Sequence, residues 1–295
     1  MDATDALAQL LMAQRFEAQR PRLRAVAYRM LGSHAEAEDA VQEAWLRASR
    51  AGDDDVANLG GWLTTIVARQ CLNVLRSRAA RHEEPLDAHL PDPVLSSGEG
   101  ADPAESAVLA DAVGLALQVV LESLDPDERL AFVLHDMFAV PFDEIAPVVG
   151  RTSAAARQLA SRARRRVRSA GPAADPDPAR VRPVVEAWLA ASRRGDFAAL
   201  LALLAPDAVL RVDAGPAGGS RVVRGAAQVA GQAVLAAAAA VHSRIVLVNG
   251  VPGIVAAPAG QVAAVLAFTV ADGRVTRLDI LADRERLRVW DGSVG

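Results

Sequence analysis

Residues 151–168, RTSAAARQLASRARRRVR, carry seven arginines and no acid, in a chain of formal net charge −4. Like charges crowded on one helix repel one another, so such a run is best satisfied against a polyanion. Ala156, Leu159, Ala163 and Val167 recur at spacings of three and four and form one narrow packing face. Gln158, Arg162 and Arg165 line a neighbouring stripe, and Arg157, Ser161, Arg164 and Arg168 line another. The preceding PFDEIAPVVG closes on Gly150, and Thr152 or Ser153 is placed to cap the basic helix. A short helix, a glycine turn and a capped basic helix make a helix-turn-helix pattern, whose second helix suits the DNA major groove. Its early residues would reach base edges and its later arginines phosphates. The plain alternative is a solvated charged helix end, and the absence of compensating acids argues against it.

A second basic segment, GGWLTTIVARQCLNVLRSRAARH, bears Arg69, Arg76, Arg78 and Arg81 and again no acid. Trp62 stands at its start, with Thr64, Thr65 and Asn73 downstream. Arginines offer phosphate contacts, while the polar groups and an aromatic ring could hold an unstacked base. Taken alone, Trp62 reads as a core residue; its basic neighbours favour the other reading. Between these comes an acidic helix, HAEAEDAVQEAWLRASR, with Glu36, Glu38, Asp39 and Glu43 set against Ala40, Val41, Ala44 and Trp45. Its plain reading is a solvent face, yet acids interleaved with Trp45 and Leu46 also make a docking surface for a basic partner.

The elements that position these groups follow from pattern and composition. At 295 residues, 52% hydrophobic and 23% charged, the chain reads as globular with more than one core. Aromatic residues are 4% of the chain, so those cores are built from Ala, Leu and Val. All 32 basic residues are arginine, so clustering is more informative than any single one. In the first helix Leu23, Val26, Ala27, Met30 and Leu31 share one face, and Gly32 stops it. Two stretches rich in Pro, Gly and acids, 83–106 and 170–179, read as linkers without helical or strand period. From residue 180 the chain reads as helices followed by a strand meander, with ADG (271–273) as a hairpin turn, hence a small α+β domain. The N-terminus lacks the order of a signal peptide, and the weakly polar stretch 226–241 is shorter than a membrane span, so a soluble cytoplasmic protein is expected. Cys71 is the only cysteine and reads as an inert core thiol. The five histidines are scattered, so no metal site and no cofactor are expected.

The first 169 residues resemble the extracytoplasmic-function group of sigma-70 RNA polymerase sigma factors. AYRMLGSHAEAEDAVQEAWLRASR resembles the segment of sigma domain 2 that binds core polymerase. GGWLTTIVARQCLNVLRSRAARHEEP resembles the segment that melts and reads the −10 element, and residues 124–168 resemble sigma domain 4, which reads the −35 element. Residues 180–289 are similar to the SnoaL-like (NTF2-like) cone domain fused to one subgroup. HLPDPV is similar to that subgroup's Trp-Leu-Pro-Glu-Pro-Leu linker motif, with His89 at the tryptophan position. RVDAGPAGGS stands where the subgroup has an Asp-Gly-Gly-Gly-Lys loop, and LADRERL where it has Asn-Pro-Asp-Lys-Leu, so both lysine positions are altered.

The resemblance implies a multidomain chain: two all-α sigma domains, sigma domain 2 (1–82) and helix-turn-helix sigma domain 4 (107–169), then an α+β SnoaL-like domain (180–295). It implies core RNA polymerase and promoter DNA as partners, with intramolecular contact between the C-terminal domain and the sigma domains. Polymerase contact falls to Glu38, Asp39, Gln42, Glu43, Trp45 and Leu46. The −10 contact falls to Trp62, Thr65, Arg69, Asn73, Arg76 and Arg78. The −35 contact falls to Thr152, Ser153, Arg157, Gln158, Ser161, Arg162 and Arg165. His89, Leu90, Pro91, Asp213 and Arg284 are assigned to tail–linker contact. Two rivals stay open: a conventional DNA-binding regulator with a small-molecule sensor domain, and an enzyme with a DNA-binding module. Catalysis would need an acid–base pair, for which Asp213, His242, Asp272 and Asp279 are the candidates; no enzyme activity is expected, and nothing specifies a ligand for the tail.

Overall fold

The computed structural model describes residues 3–51, 58–80, 90–96, 115–169 and 177–291. His89 and Arg81 lie outside the described residues. The chain divides into two compact units, residues 1–84 with 120–169, and residues 85–119 with 170–295. The two helical pieces thus share one unit, and the first linker belongs with the sheet.

The helical unit begins with α1 (Ala3–Leu31), α2 (His34–Ala51) and α3 (Leu59–Ala80). Leu23, Val26, Ala27, Met30 and Leu31 of α1 are all buried, as their periodicity requires. Gly32 ends α1 at a φ of 76°, a conformation that is cheap for glycine. Leu63, Val67, Cys71, Leu72 and Leu75 supply the inner face of α3. Burial pushes the Cys71 thiol up to about 12, so it stays protonated.

α4 (Leu115–Glu122) straddles the division at 119/120; then α5 (Pro126–Phe132) runs on into a π-helical turn, Val133–Met137, and α6 (Phe142–Val149) and α7 (Ser153–Ser169) complete the helical unit. The left-handed Gly150 (φ 70°) closes α6, and the Arg151 N–H reaches back to the Ala146 carbonyl at 3.0 Å. Thr152 caps α7: its Oγ1 accepts from the Ala155 N–H at 3.3 Å. The buried ridge of α7 is Ala156, Ala160 and Ala163, while Leu159 and Val167 are only half-buried. The expected stripe is therefore rotated by about one position toward Ala160, because small side chains allow the close approach of α5 and α7.

In the sheet unit, α8 (Pro178–Arg194), α9 (Phe197–Leu203) and α10 (Ala226–Leu235) pack on one face of a seven-stranded sheet. Its strands are β1 (Leu95–Ser96), β2 (Leu204–Asp213), β3 (Ser220–Arg224), β4 (Ser243–Val248), β5 (Val251–Ala256), β6 (Ala264–Ala271) and β7 (Arg274–Leu281), in the order β1-β4-β5-β6-β7-β2-β3. The β4 to β7 meander follows the sequence pattern, and Asp272 and Gly273 turn β6 into β7 with positive φ at both positions. Three strands depart from the sequence reading. β2 begins at Leu204, within the apolar run LALLA (201–205) whose first three residues complete α9, β3 follows at 220–224, and β2 pairs parallel with β7. β1 lies inside the segment read as structureless. Trp188 of α8 meets Phe268 of β6 edge-on at 5.7 Å in the core. Leu95, Leu287 and Trp290 belong to a second apolar cluster with Val246, Val248 and Val265.

Candidate nucleic-acid interface

On α3, Trp62, Thr65, Arg69, Asn73 and Arg76 follow one another at spacings of three, four, four and three, so they form a single stripe. Arg69, Asn73 and Arg76 are exposed, and Trp62 and Thr65 are half-buried. Trp62 is therefore not a core residue. Thr65 uses its hydroxyl locally, donating to the Gly61 carbonyl at 3.0 Å. Arg78 leaves this stripe and pairs with Glu36 of α2. Arg76 donates through Nε and Nη2 to Asp127 Oδ1 at 3.1 and 2.7 Å, and reaches the Val149 carbonyl at 3.4 Å.

On α7, Arg157, Gln158, Ser161, Arg162 and Arg165 are exposed, whereas Ser153 is half-buried and bonded to Asp143. The Arg157 guanidinium lies 5.6 Å from the centre of the Phe142 ring. Acids from elsewhere in the unit answer the later arginines: Arg164 pairs with Asp136 at 2.6 Å, and Arg166 with Asp125 at 3.1 Å and Glu128 at 2.9 Å. Among the described residues, Arg69, Arg162 and Arg165 have no ion-pair partner. The charge that the sequence leaves unbalanced on α7 is thus partly neutralised by α5 and the turn that follows it.

On α2, Asp39, Gln42 and Leu46 are exposed along one stripe, with Glu43 and Trp45 half-buried beside it. Glu38 accepts from Arg20 and lies 3.2 Å from Arg24 of α1, Glu43 pairs with Arg47 at 2.9 Å, and Trp45 packs on Phe16 with ring centres 4.9 Å apart. Asp39, Gln42 and Leu46 are the members left facing outward.

The tail–linker residues come together around Asp213, which is 1% exposed. Its carboxylate accepts from the Leu90 N–H at 2.9 Å, the Gly215 N–H at 3.0 Å and Arg286 Nη1 at 3.0 Å. Arg286 also donates to the Leu90 carbonyl and, through Nε, to Asp92 at 2.7 Å. Leu90 and Pro91 are buried. Further along, the Asn249 N–H donates to the Val94 carbonyl at 2.7 Å, Asn249 Oδ1 accepts from the Val94 N–H at 3.0 Å, and β1 then pairs with β4. Residues 90–96 form a strap fastened to the sheet unit.

Arg284 is not part of this grip: it binds the Val262 carbonyl at 2.9 Å, Gln261 at 2.7 Å and Asp291 at 3.4 Å. The residue that does the work, Arg286, stands two positions on. Arg286 stands in α11 (Arg284–Leu287), whose first N–H groups are capped by Asp283. A Cβ at Gly215 would sit 2.3 Å from Asp283 Oδ2, which explains a glycine at that point of the loop.

Of the acid–base candidates, Asp213 and Asp279 are held by arginines. Asp279, 1% exposed, takes Arg211 at 2.7 Å, Asp272 forms the β6–β7 turn, and His242 is exposed. Among the described residues no group of His, Cys, Asp and Glu has the arrangement of a metal site, and no helix is long and apolar enough to cross a membrane.

A helix-turn-helix module and a second basic helix on one helical unit define a promoter-recognition class of protein, and the comparisons with known proteins name it. The Sigma-70 region 2 model matches residues 15–81, and the Sigma-70 region 4 model matches residues 114–167. The chain belongs to the extracytoplasmic-function (ECF) family of RNA polymerase sigma factors. ECF RNA polymerase sigma factor SigJ of Mycobacterium tuberculosis is 42% identical over 294 residues, covering 92% of this chain and 91% of the relative. The probable ECF sigma factor SigI of the same species is 37% identical over 269 residues, covering 89% and 90%. The crystal structure of M. tuberculosis SigJ matches with a TM-score of 0.74 at 39% identity, over 93% of this chain and 97% of that one. Both likenesses to SigJ run through the α+β unit as well as the helical one.

Proposed function

We propose that this chain directs core RNA polymerase to promoters and that its C-terminal domain governs the step by holding the linker between the two sigma modules. α7 enters the −35 major groove, with Thr152, Arg157, Gln158 and Ser161 toward base edges and Arg162 and Arg165 toward phosphate. The stripe of α3 contacts the −10 element, where Trp62, Thr65 and Asn73 receive an unstacked base and Arg69 and Arg76 hold the strand. The Asp39–Gln42–Leu46 surface of α2 faces core polymerase.

The observation that carries the regulatory part is the grip of Asp213, Arg286 and Asn249 on residues 90–96. Any chain that joins α3 to α4 passes through that strap, so fastening it shortens the free linker available to the two modules. A shorter linker narrows the set of separations they can adopt, and an effector that releases the strap widens it.

Run-off transcription with purified core polymerase tests both parts. A promoter-dependent transcript is expected, and its absence with both the full chain and a chain truncated after residue 170 would sink the sigma reading. Equal output from the two chains would remove the regulatory claim. Arg162→Ala should weaken transcription from templates that keep the −35 element and leave output unchanged when that element is scrambled.

A further inference from the structure

The N-terminal turn of α5 places three carboxylates, Asp125, Asp127 and Glu128, against arginines of both proposed DNA-facing helices. Arg76 of α3 meets Asp127 at 2.7 Å, and Arg166 of α7 meets Asp125 and Glu128 at 3.1 and 2.9 Å. These three acids, Arg76 and Arg162 line one open cleft of about 360 Å³. We propose that this turn is an internal stand-in for DNA phosphates, occupying Arg76 and Arg166 until a nucleic-acid strand displaces it. The proposal rests on reading α3 and α7 as DNA-facing and adds how those surfaces are kept from unproductive binding.

The chemistry of the exchange is direct. A guanidinium donates to a carboxylate oxygen and to a phosphate oxygen in the same way, so the two compete for the same N–H groups. The side chains of Arg76 and Arg166 are 46% and 49% exposed, so an incoming strand can reach them without unfolding anything. Of the acids, the side chains of Asp127 and Glu128 are 21% and 4% exposed, whereas that of Asp125 is 66% exposed. Arg129, the next residue of the turn, is buried and donates to the Arg29 carbonyl of α1 at 3.2 and 3.0 Å. That carbonyl lies in the last turn of α1, where the helix leaves acceptors without an internal partner. One anchored residue thus ties the turn to α1, and the Arg76–Asp127 and Arg166–Asp125 pairs, whose arginines are about half exposed, do the competing.

The test uses the full chain and a labelled short duplex without core polymerase, titrated at several salt concentrations. Asp127→Asn should bind about threefold tighter at low salt, and its log K against log salt slope should steepen by about one as Arg76 gains a phosphate. Asp127→Glu, which keeps the charge, should behave as the unaltered chain does. Asp125→Asn, at an exposed position, should move affinity in the same direction by a smaller factor. The decisive comparison repeats Asp127→Asn in an Arg76→Ala background. There the gain should vanish; an equal gain would mean that Asp127 acts only by general repulsion and would overturn the stand-in. Unchanged affinity and slope in both single Asn variants would overturn it too. A transcript from the unaltered chain alongside such a result leaves the sigma reading standing, whereas no transcript at all sinks that reading instead.

Discussion

In the helical unit the pairs Arg76–Asp127, Arg164–Asp136 and Arg166–Asp125 have side chains 46% and 21%, 36% and 24%, and 49% and 66% exposed, and only Arg166–Glu128 has a buried carboxylate among them, whereas in the sheet unit Arg286 and Asp213 are 19% and 2% exposed. Exposed pairs of the first kind contribute about 1 kcal/mol or less and are screened by salt. Removing one partner of a buried pair leaves a charge that water cannot reach, at a cost of several kcal/mol. The same two residue types therefore make an exchangeable contact in one unit and a fixed joint in the other. Exchange suits a surface proposed to give up its partner to DNA, and fixity suits a strap held on the sheet.

The largest expected effect tests the fixed joint. Arg286→Met should lower the stability of the sheet unit by about 3 kcal/mol, because Asp213 keeps its burial and loses its cation. Urea unfolding measures this, and hydrogen exchange at residues 90–96 should rise together with it. Arg284→Met, at a side chain 41% exposed, should cost under about 1 kcal/mol, and an equal cost would erase the distinction between the two arginines.

Next in size is Arg129→Ala, which removes a buried arginine–carbonyl contact of the helical unit. Losing two charge-assisted bonds to Arg29 should cost about 2 kcal/mol in thermal unfolding. Burial lowers the Arg129 pKa to about 10, still well above neutrality, so the side chain is charged under ordinary conditions.

Alkaline pH should distinguish the units in a different way. The Cys71 thiol is pushed from about 9 to about 12 in the folded state, so the unfolded chain loses that proton first. The Cys71 contribution is then intact below about pH 9 and falls by about 1.4 kcal/mol per pH unit above it, until from about pH 10 the lowered Arg129, deprotonating first in the folded chain, offsets it. A Cys71→Ala chain should lack this slope. Native Cys71 should also resist thiol reagents at pH 8.

The smallest effect on stability is expected from Arg76→Ala, under about 1 kcal/mol, together with a clear loss of promoter-dependent transcription. A large loss of stability instead would place Arg76 with the fixed joints.

Much of the helical unit was legible in the sequence because its signals are local. The apolar period of α1 from Leu23 to Leu31, the stop at Gly32, the glycine turn at Gly150 and the cap at Thr152 each depend on residues within a few positions. The sheet unit was only half legible. Hairpins such as β6–β7 announce themselves through Asp272 and Gly273, but β2 pairs with β7, a strand far along the chain, and its apolar start carried no strand signal. Asp213 was singled out beside its glycine-rich loop, yet its hydrogen bond to Leu90 spans 123 residues, and no spacing distinguishes Arg286 from Arg284.

The sequence by itself determined that α7 and the second half of α3 are basic and carry no acid, that α7 follows a helix-turn-helix turn, and that helices give way to strands after residue 180. Those outcomes follow from nearest-neighbour chemistry: capping, periodicity and like charge on one helix. Only the tertiary structure decided which arginines are answered. Asp125, Asp127, Glu128 and Asp136 reach Arg76, Arg164 and Arg166 because α3, α5 and α7 pack together, and Arg286 reaches Asp213 because β2 lies beside β7. Charge content is a property of the chain, but the neutralisation of a charge depends on distance, and distance is fixed only by the fold.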